Sequence, residues 1–313
     1  VQGAVEVLKQ VLPVYLLLVA GAALRRGGVT RREHDEGVLH LVFHVMYPCF
    51  ILDKILGSES VRDPGAVVWG IGVGMLFALV GFGMAWLGAS LLGYERGNGK
   101  RTFTVATGVQ NFGYTAIPVV EQMWLGSGAI AMLFVHNFGV EIAIWSAGVM
   151  ILSGERGIPW RRLVNGPMVV IVVGLGLVAL GWDRHITGPP REAMRWMGAG
   201  SFPVAVFITG AIIMDLIGRE RPSWRASLGA PVLRLALIPA MMLVAARWLP
   251  MPLALKQVLL VQAAMPSAMT PILLAKLYGG RPSVAVEVVV ATTVVSLLSM
   301  PLVLILGRDW LGL

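Results

Sequence analysis

Residues 107–118 read Thr107-Gly108-Val109-Gln110-Asn111-Phe112-Gly113-Tyr114-Thr115-Ala116-Ile117-Pro118 and interrupt an apolar run over 102–124. Inside a helix a glycine costs about 1 kcal/mol and a proline about 3. Gly113 and Pro118 therefore predict an unwound segment where a continuous helix would otherwise form. If the run lies in a bilayer, its freed backbone meets no water, so it must line a cavity or be buried in protein. Asn111 places a donor amide and an acceptor oxygen at the same depth, with Gln110, Tyr114 and Thr115 beside it. We read the stretch as half of a binding site.

The rest of the chain supplies the bilayer. It is 57 % hydrophobic and 13 % charged, with a mean hydropathy of +0.77, the composition of a polytopic membrane protein. The net charge of +8 comes from basic residues scattered through short loops. No basic stripe with interleaved aromatics occurs, so a nucleic-acid partner is not expected. The one cysteine, Cys49, excludes an intrachain disulfide and a cysteine-based zinc site, and its apolar setting reads as a packed thiol. Val11 to Leu24 leads into Arg25 and Arg26 without a polar cleavage region, so it is expected to be the first span rather than a signal peptide.

About 20 apolar residues cross a bilayer. Ten runs qualify, near 7–25, 36–56, 66–92, 102–124, 128–152, 165–182, 196–218, 229–248, 255–277 and 283–306. The longest loops are expected at 25–35, 153–164 and 182–195. With the N-terminus outside, inner loops hold fifteen lysines and arginines and outer segments nine. That bias predicts both termini outside, in a multi-pass protein of the cell inner (plasma) membrane.

Shifting the first half by 153 to 155 positions brings Pro13 onto Pro167, Pro48 onto Pro203, Asn111 onto Pro266 and Pro118 onto Pro271. Residues 1–152 and 165–306 then form two five-span repeats. Five is odd, so the second enters the membrane inverted, a build of secondary transporters with the site at the repeat interface. The partner of the broken fourth span is the ninth, Gln262 to Gly280 (QAAMPSAMTPILLAKLYGG). Pro266 and Pro271 each remove an amide donor there, with Gln262, Ser267 and Thr270 around them. If both spans break and cross, four half-helix ends meet. The N-terminal ends suit a carboxylate and the C-terminal ends a cation.

These motifs resemble the auxin efflux carrier family, the bacterial permeases related to plant PIN-formed carriers. The bacterial fourth-span pattern, Pro-Asn-X-Gly-Tyr followed by proline, is matched by Gln110-Asn111-Phe112-Gly113-Tyr114 and Pro118. The ninth-span pattern is matched by Ala264-Met265-Pro266 and Ala275-Lys276-Leu277-Tyr278-Gly279, and Val11-Leu12-Pro13-Val14 and Ser299-Met300-Pro301-Leu302 also fit. The resemblance implies ten spans, external termini and crossed broken helices similar to those of bile-acid symporters and sodium/proton antiporters. It implies that Asn111 and Pro266 line the substrate site and that the substrate is a small organic anion such as malonate or malate. Gln110 stands where the family has proline, and Val109 where the plant motif has a further asparagine. No long hydrophilic loop separates spans five and six, so auxin itself is not implied.

Charges within spans are costly and commonly functional or paired. Glu141 lies in the fifth span and shares a helical face with Asn137, which makes the two a candidate proton or sodium coupling site. Glu121 ends the fourth span, and Asp53 with Lys54 ends the second as an edge or a gate. Asp215 is expected to pair with Arg219, Arg234 to snorkel from the eighth span, and Glu287 to be solvated. His40 and His44 sit one turn apart with no third metal ligand in view. No GxSxG, HExxH, Walker loop or dinucleotide fingerprint is present, so no enzyme is expected.

The expectation is thus an all-helical membrane carrier for a mono- or dicarboxylate working by alternating access. Gln110, Asn111, Tyr114, Ser267 and Thr270 would form the polar lining, and Gly113, Pro118, Pro266 and Pro271 would set the breaks. Spans one, two, six and seven would move against the rest. No cofactor and no metal are expected, and a homodimer stands open beside the single chain. The rivals are a sodium/proton antiporter-like exchanger, which would need a carboxylate at the crossing, and a non-transporting membrane receptor.

Overall fold

The structure is a computed structural model that describes residues 2–95, 97, 99–113, 115–154, 166–217 and 223–313. The described residues form helices, joined by one isolated antiparallel bridge. In chain order the helices are α1 (Gln2–Arg26), α2 (Arg32–Ile55), α3 (Pro64–Leu91), α4 (Lys100–Gly108), α5 (Ala116–Met123), α6 (Ala129–Ser153), α7 (Gly166–Ala179), α8 (Pro189–Leu216), α9 (Arg225–Trp248), α10 (Leu253–Ala264), α11 (Thr270–Leu277) and α12 (Pro282–Leu311). Among the described residues six helices, α2, α3, α6, α8, α9 and α12, are long and apolar enough to cross a bilayer, and α7 and α10 are shorter apolar helices. The molecule is an all-helical, multi-pass membrane protein.

Local chemistry sets the ends. Asp63 caps α3 by accepting from the Gly65 and Ala66 amides, with Pro64 at the first helical position. The expected loop at 182–195 is shorter than its polarity suggested. Pro189 and Pro190 start α8 early, and Gly198 lets it lie against the Phe50 backbone of α2. The 25–35 loop likewise ends at Arg32, where α2 begins.

The helices pack in two groups. α1 lies along α8, and α2 lies along α7 and the start of α8. In the other group α3 packs on α4 and α6, α9 on α10, and α12 on α4, α10 and α11. The α3–α6 contact is backbone to backbone. A Cβ added to Gly74 would sit 2.1 Å from the His136 carbonyl oxygen, and one at Gly139 would sit 2.0 Å from that of Ile71. Small residues are what allow helices to approach this closely in a membrane. Gly74→Val is therefore expected to push the two helices apart and destabilise the fold by about 1–3 kcal/mol. A thermal unfolding scan in detergent checks this; an unchanged midpoint would contradict the packing.

Several charges find partners far away in sequence. Asp215 pairs with Arg32 at 2.8 Å and approaches Arg25 at 3.8 Å, while its expected partner Arg219 lies outside the described residues. Glu287 accepts from the Ser223 hydroxyl at 2.5 Å instead of being left to solvent, and so holds the start of α9. Arg234 does not snorkel. It is fully buried, because the turn that carries it, Leu233–Leu237, packs on α3, α4 and α12 rather than facing lipid. His40 and His44 stack on each other, and no cluster of three metal-ligating side chains occurs among the described residues.

Candidate functional site

The two interrupted runs meet. α4 ends at Gly108 and Val109 turns extended, with φ −103° and ψ 123°. α10 ends at Ala264 and Met265 does the same, with φ −76° and ψ 140°. The extended pieces then pair antiparallel. The Asn111 amide donates to the Pro266 carbonyl at 2.7 Å, the Ala268 amide donates to the Val109 carbonyl at 3.0 Å, and Gln110 stands opposite Ser267. Each broken helix thus supplies the hydrogen-bond partners that the other lost, which is how unwound backbone survives out of reach of water. The position aligned with Asn111 by the sequence repeat is Pro266, the residue its amide bonds.

Pro118 and Pro271 are not in the unwound pieces. They lie in the first turns of α5 and α11, where amide donors have no intrahelical partner and a proline costs nothing. They restart the helices. Gly113 and Pro266 are in the breaks themselves, and Tyr114 lies outside the described residues.

Asn137 holds the arrangement together from α6. Its Nδ2 donates to the Phe112 carbonyl at 2.8 Å and its Oδ1 accepts from Gln262 Nε2 at 3.0 Å. One buried amide therefore bridges the first break and the last turn of α10. Thr292 on α12 does similar work for the second break, accepting from the Ser267 amide at 3.2 Å and donating to the Val288 carbonyl at 2.7 Å. Thr292 was not foreseen. A lone hydroxyl in an apolar run gives no sign in sequence of which backbone it serves.

A cavity of about 120 Å³ opens beside the paired breaks, bordered by Asn111, Gly113 and Ile117 on one side and Met269 and Thr270 on the other. These residues flank the starts of α5 and α11, neither of which has a side-chain cap. Two helix N-termini thus turn partial positive charge toward one space, although the Ile117 and Ile272 amides already bond the Gly113 and Met269 carbonyls. The opposite wall, Phe43, Tyr47 and Phe202 with Ser201, comes from α2 and α8. Glu141 also lines the cavity and accepts from the Trp145 indole at 3.2 Å. Asn111 and Thr270 are cavity residues, whereas Gln110 and Ser267 are 1 % exposed and absent from its lining. Asn137 and Glu141, expected on one face, divide: the first serves the breaks and the second meets the cavity.

Toward the other end of α2 a wider vestibule of about 470 Å³ is lined by charges. Lys54 pairs with Glu121 at 2.5 Å, joining α2 to α5, and Arg191 pairs with Asp53 at 3.0 Å while capping the Leu56 carbonyl. Just outside it, Asp183 accepts from Arg62 at 2.6 Å and from the Gly57 amide. Burial would raise the Asp183 carboxyl, but the Arg62 hydrogen bond and charge prevail and hold it below the ordinary carboxylate value.

No curated protein matches the chain. The sequence profile described as "Membrane transport protein" matches residues 6–158 and 150–304, almost the whole length. The chain therefore belongs to the membrane transport protein family, which is the auxin efflux carrier family.

Proposed function

We propose that this transporter is a secondary carrier of a small organic anion, a mono- or dicarboxylate, that works by alternating access. The observation that carries the reading is the convergence of the α5 and α11 N-termini with Asn111, whose side-chain amide remains for a ligand, on one cavity. Fixed amides and half-helix ends form a carboxylate-binding surface without needing a positive side chain. In this reading ten spans form two inverted five-helix units, α4/α5 and α10/α11 are the crossed broken spans, and both termini lie outside the inner membrane. The α1, α2, α7 and α8 group is the body against which the crossing moves.

Glu141 gives the carrier a coupling group. Ionised, it repels an anion in the same cavity; protonated, it admits one, so anion and proton would travel together. The same carboxylate favours a second reading, a sodium/proton antiporter-like exchanger on the same plan. Uptake of labelled malonate, malate and indole-acetate into proteoliposomes, under separately imposed proton and sodium gradients, decides between them. Saturable uptake of one anion supports the carrier. Cation exchange without anion flux supports the exchanger.

The cavity reaches Pro167 at the start of α7, the inner end in this orientation, while Lys54 and Glu121 join the two groups at the outer end. Breaking that pair is expected to favour outward opening by up to about 1 kcal/mol, a several-fold shift. With Cys49→Ala as background, a Ser201→Cys reporter should react several-fold faster with an impermeant maleimide from outside in Glu121→Gln. Equal rates would remove the pair as a gate.

A further inference from the structure

Arg234 is the largest fully buried side chain among the described residues, at 0 % exposure. Among the described residues its Nε and Nη1 have no hydrogen-bond partner, and its Nη2 reaches only the Met242 sulfur, at 3.9 Å. No carboxylate pairs with it among the described residues. A guanidinium left unpaired in the interior is strongly disfavoured unless some other negative potential compensates it.

The fold places such a potential beside it. Arg234, Ile238 and Met242 form one stripe of α9, and this helix packs antiparallel on α10 through a short connection from Trp248 to Leu253. At 1.5 Å per residue the stretches from Trp248 back to Ile238 and from Leu253 on to Gln262 are both about 15 Å. The guanidinium, drawn along the stripe toward Met242, is therefore level with the last turn of α10. The same part of α9 packs against α4, with Leu233 in a cluster with Phe103 and Ala106. The C-terminal ends of α4 and α10, each the negative pole of its half-helix, thus lie around Arg234. Their N-terminal counterparts, α5 and α11, face the cavity. Buried oxygens without a partner among the described residues, Thr107 Oγ1 and Gln262 Oε1, occur in these same last turns.

We propose that Arg234 is a positioning residue and the fixed counter-charge of the crossing. It neutralises the two negative half-helix ends, holds the paired breaks in register, and leaves the positive ends dominant at the cavity, so that the site selects anions even with Glu141 on its wall. The role in selectivity rests on the carrier reading above; the role in holding the breaks does not. Removing this charge should weaken anion binding several-fold to about tenfold.

The test compares Arg234→Met with Arg234→Lys in the full chain. Hydrogen–deuterium exchange in detergent should rise about tenfold in Arg234→Met for peptides covering 109–113 and 265–269, with α7 unchanged, and stay near wild type in Arg234→Lys. In proteoliposomes the Michaelis constant for the transported anion should rise in Arg234→Met with little change in maximal rate, and be rescued by lysine. Wild-type exchange in Arg234→Met, or equal loss of protection in both variants, would overturn the proposal. If Arg234→Met gives no folded protein, Arg234→Lys decides alone, since retained protection supports the charge and lost protection overturns it. If wild-type protein moves no anion, the carrier reading fails while the exchange result still judges Arg234.

Discussion

Asn111→Ala is expected to abolish most transport while leaving the fold in place. The two roles of this residue separate cleanly. Its backbone amide makes the 2.7 Å bond to the Pro266 carbonyl, and alanine keeps that bond. Its side chain borders the cavity, and alanine removes it. A hydrogen bond to a charged group is worth about 1.5–3 kcal/mol, so a carboxylate substrate should bind roughly 10- to 150-fold more weakly. Concentration-dependent uptake in proteoliposomes, alongside a thermal midpoint close to wild type, checks both halves. Unchanged flux in folded Asn111→Ala would remove Asn111 from the substrate site, whatever the carrier moves.

Asn137→Leu should produce the opposite pattern, with stability lost first and activity as a consequence. Leucine is close in size and apolar, so packing changes little, but it leaves the Phe112 carbonyl and the Gln262 amide without the partners they have now. Each buried polar group so orphaned costs about 1–3 kcal/mol, and the combined loss of about 2–6 kcal/mol is a large part of the stability of an ordinary domain. Asn137→Asp keeps the acceptor for Gln262 but sets a carboxyl oxygen against the Phe112 carbonyl, so it too should melt below wild type. Detergent melts of the three proteins give the order directly. A wild-type midpoint for Asn137→Leu would mean that the breaks do not depend on α6.

The two carboxylates that the proposed mechanism uses show where sequence reading stops. Neither 107–118 nor 266–271 contains an acidic residue, and the sequence places Glu141 only on the fifth span, on a face with Asn137. Folding brings α6 past both breaks and puts Glu141 on the cavity with Asn111. Glu121 could be read as an outer-end residue, but its partner Lys54 is 67 positions away on α2. Arg234 was read as snorkelling because a long basic side chain within reach of an interface usually does so. The packing of its turn on α3, α4 and α12 made it an interior charge instead.

The sequence by itself determined the membrane class, the position of nearly every helix and the two places where helices break. Those features are local: hydropathy over a window, the missing amide of a proline and the conformational cost of glycine act within a few residues of where they are written. It also brought Asn111 onto Pro266 when the first half is shifted by 155 positions, a match read from residue identities alone. Only the tertiary structure decided that these two residues bond each other, that Pro118 and Pro271 restart helices rather than break them, and which polar side chains face the cavity. Those outcomes depend on the rotation and depth of each helix against its neighbours. Many weak contacts spread over distant segments set that packing, and no window of sequence contains them.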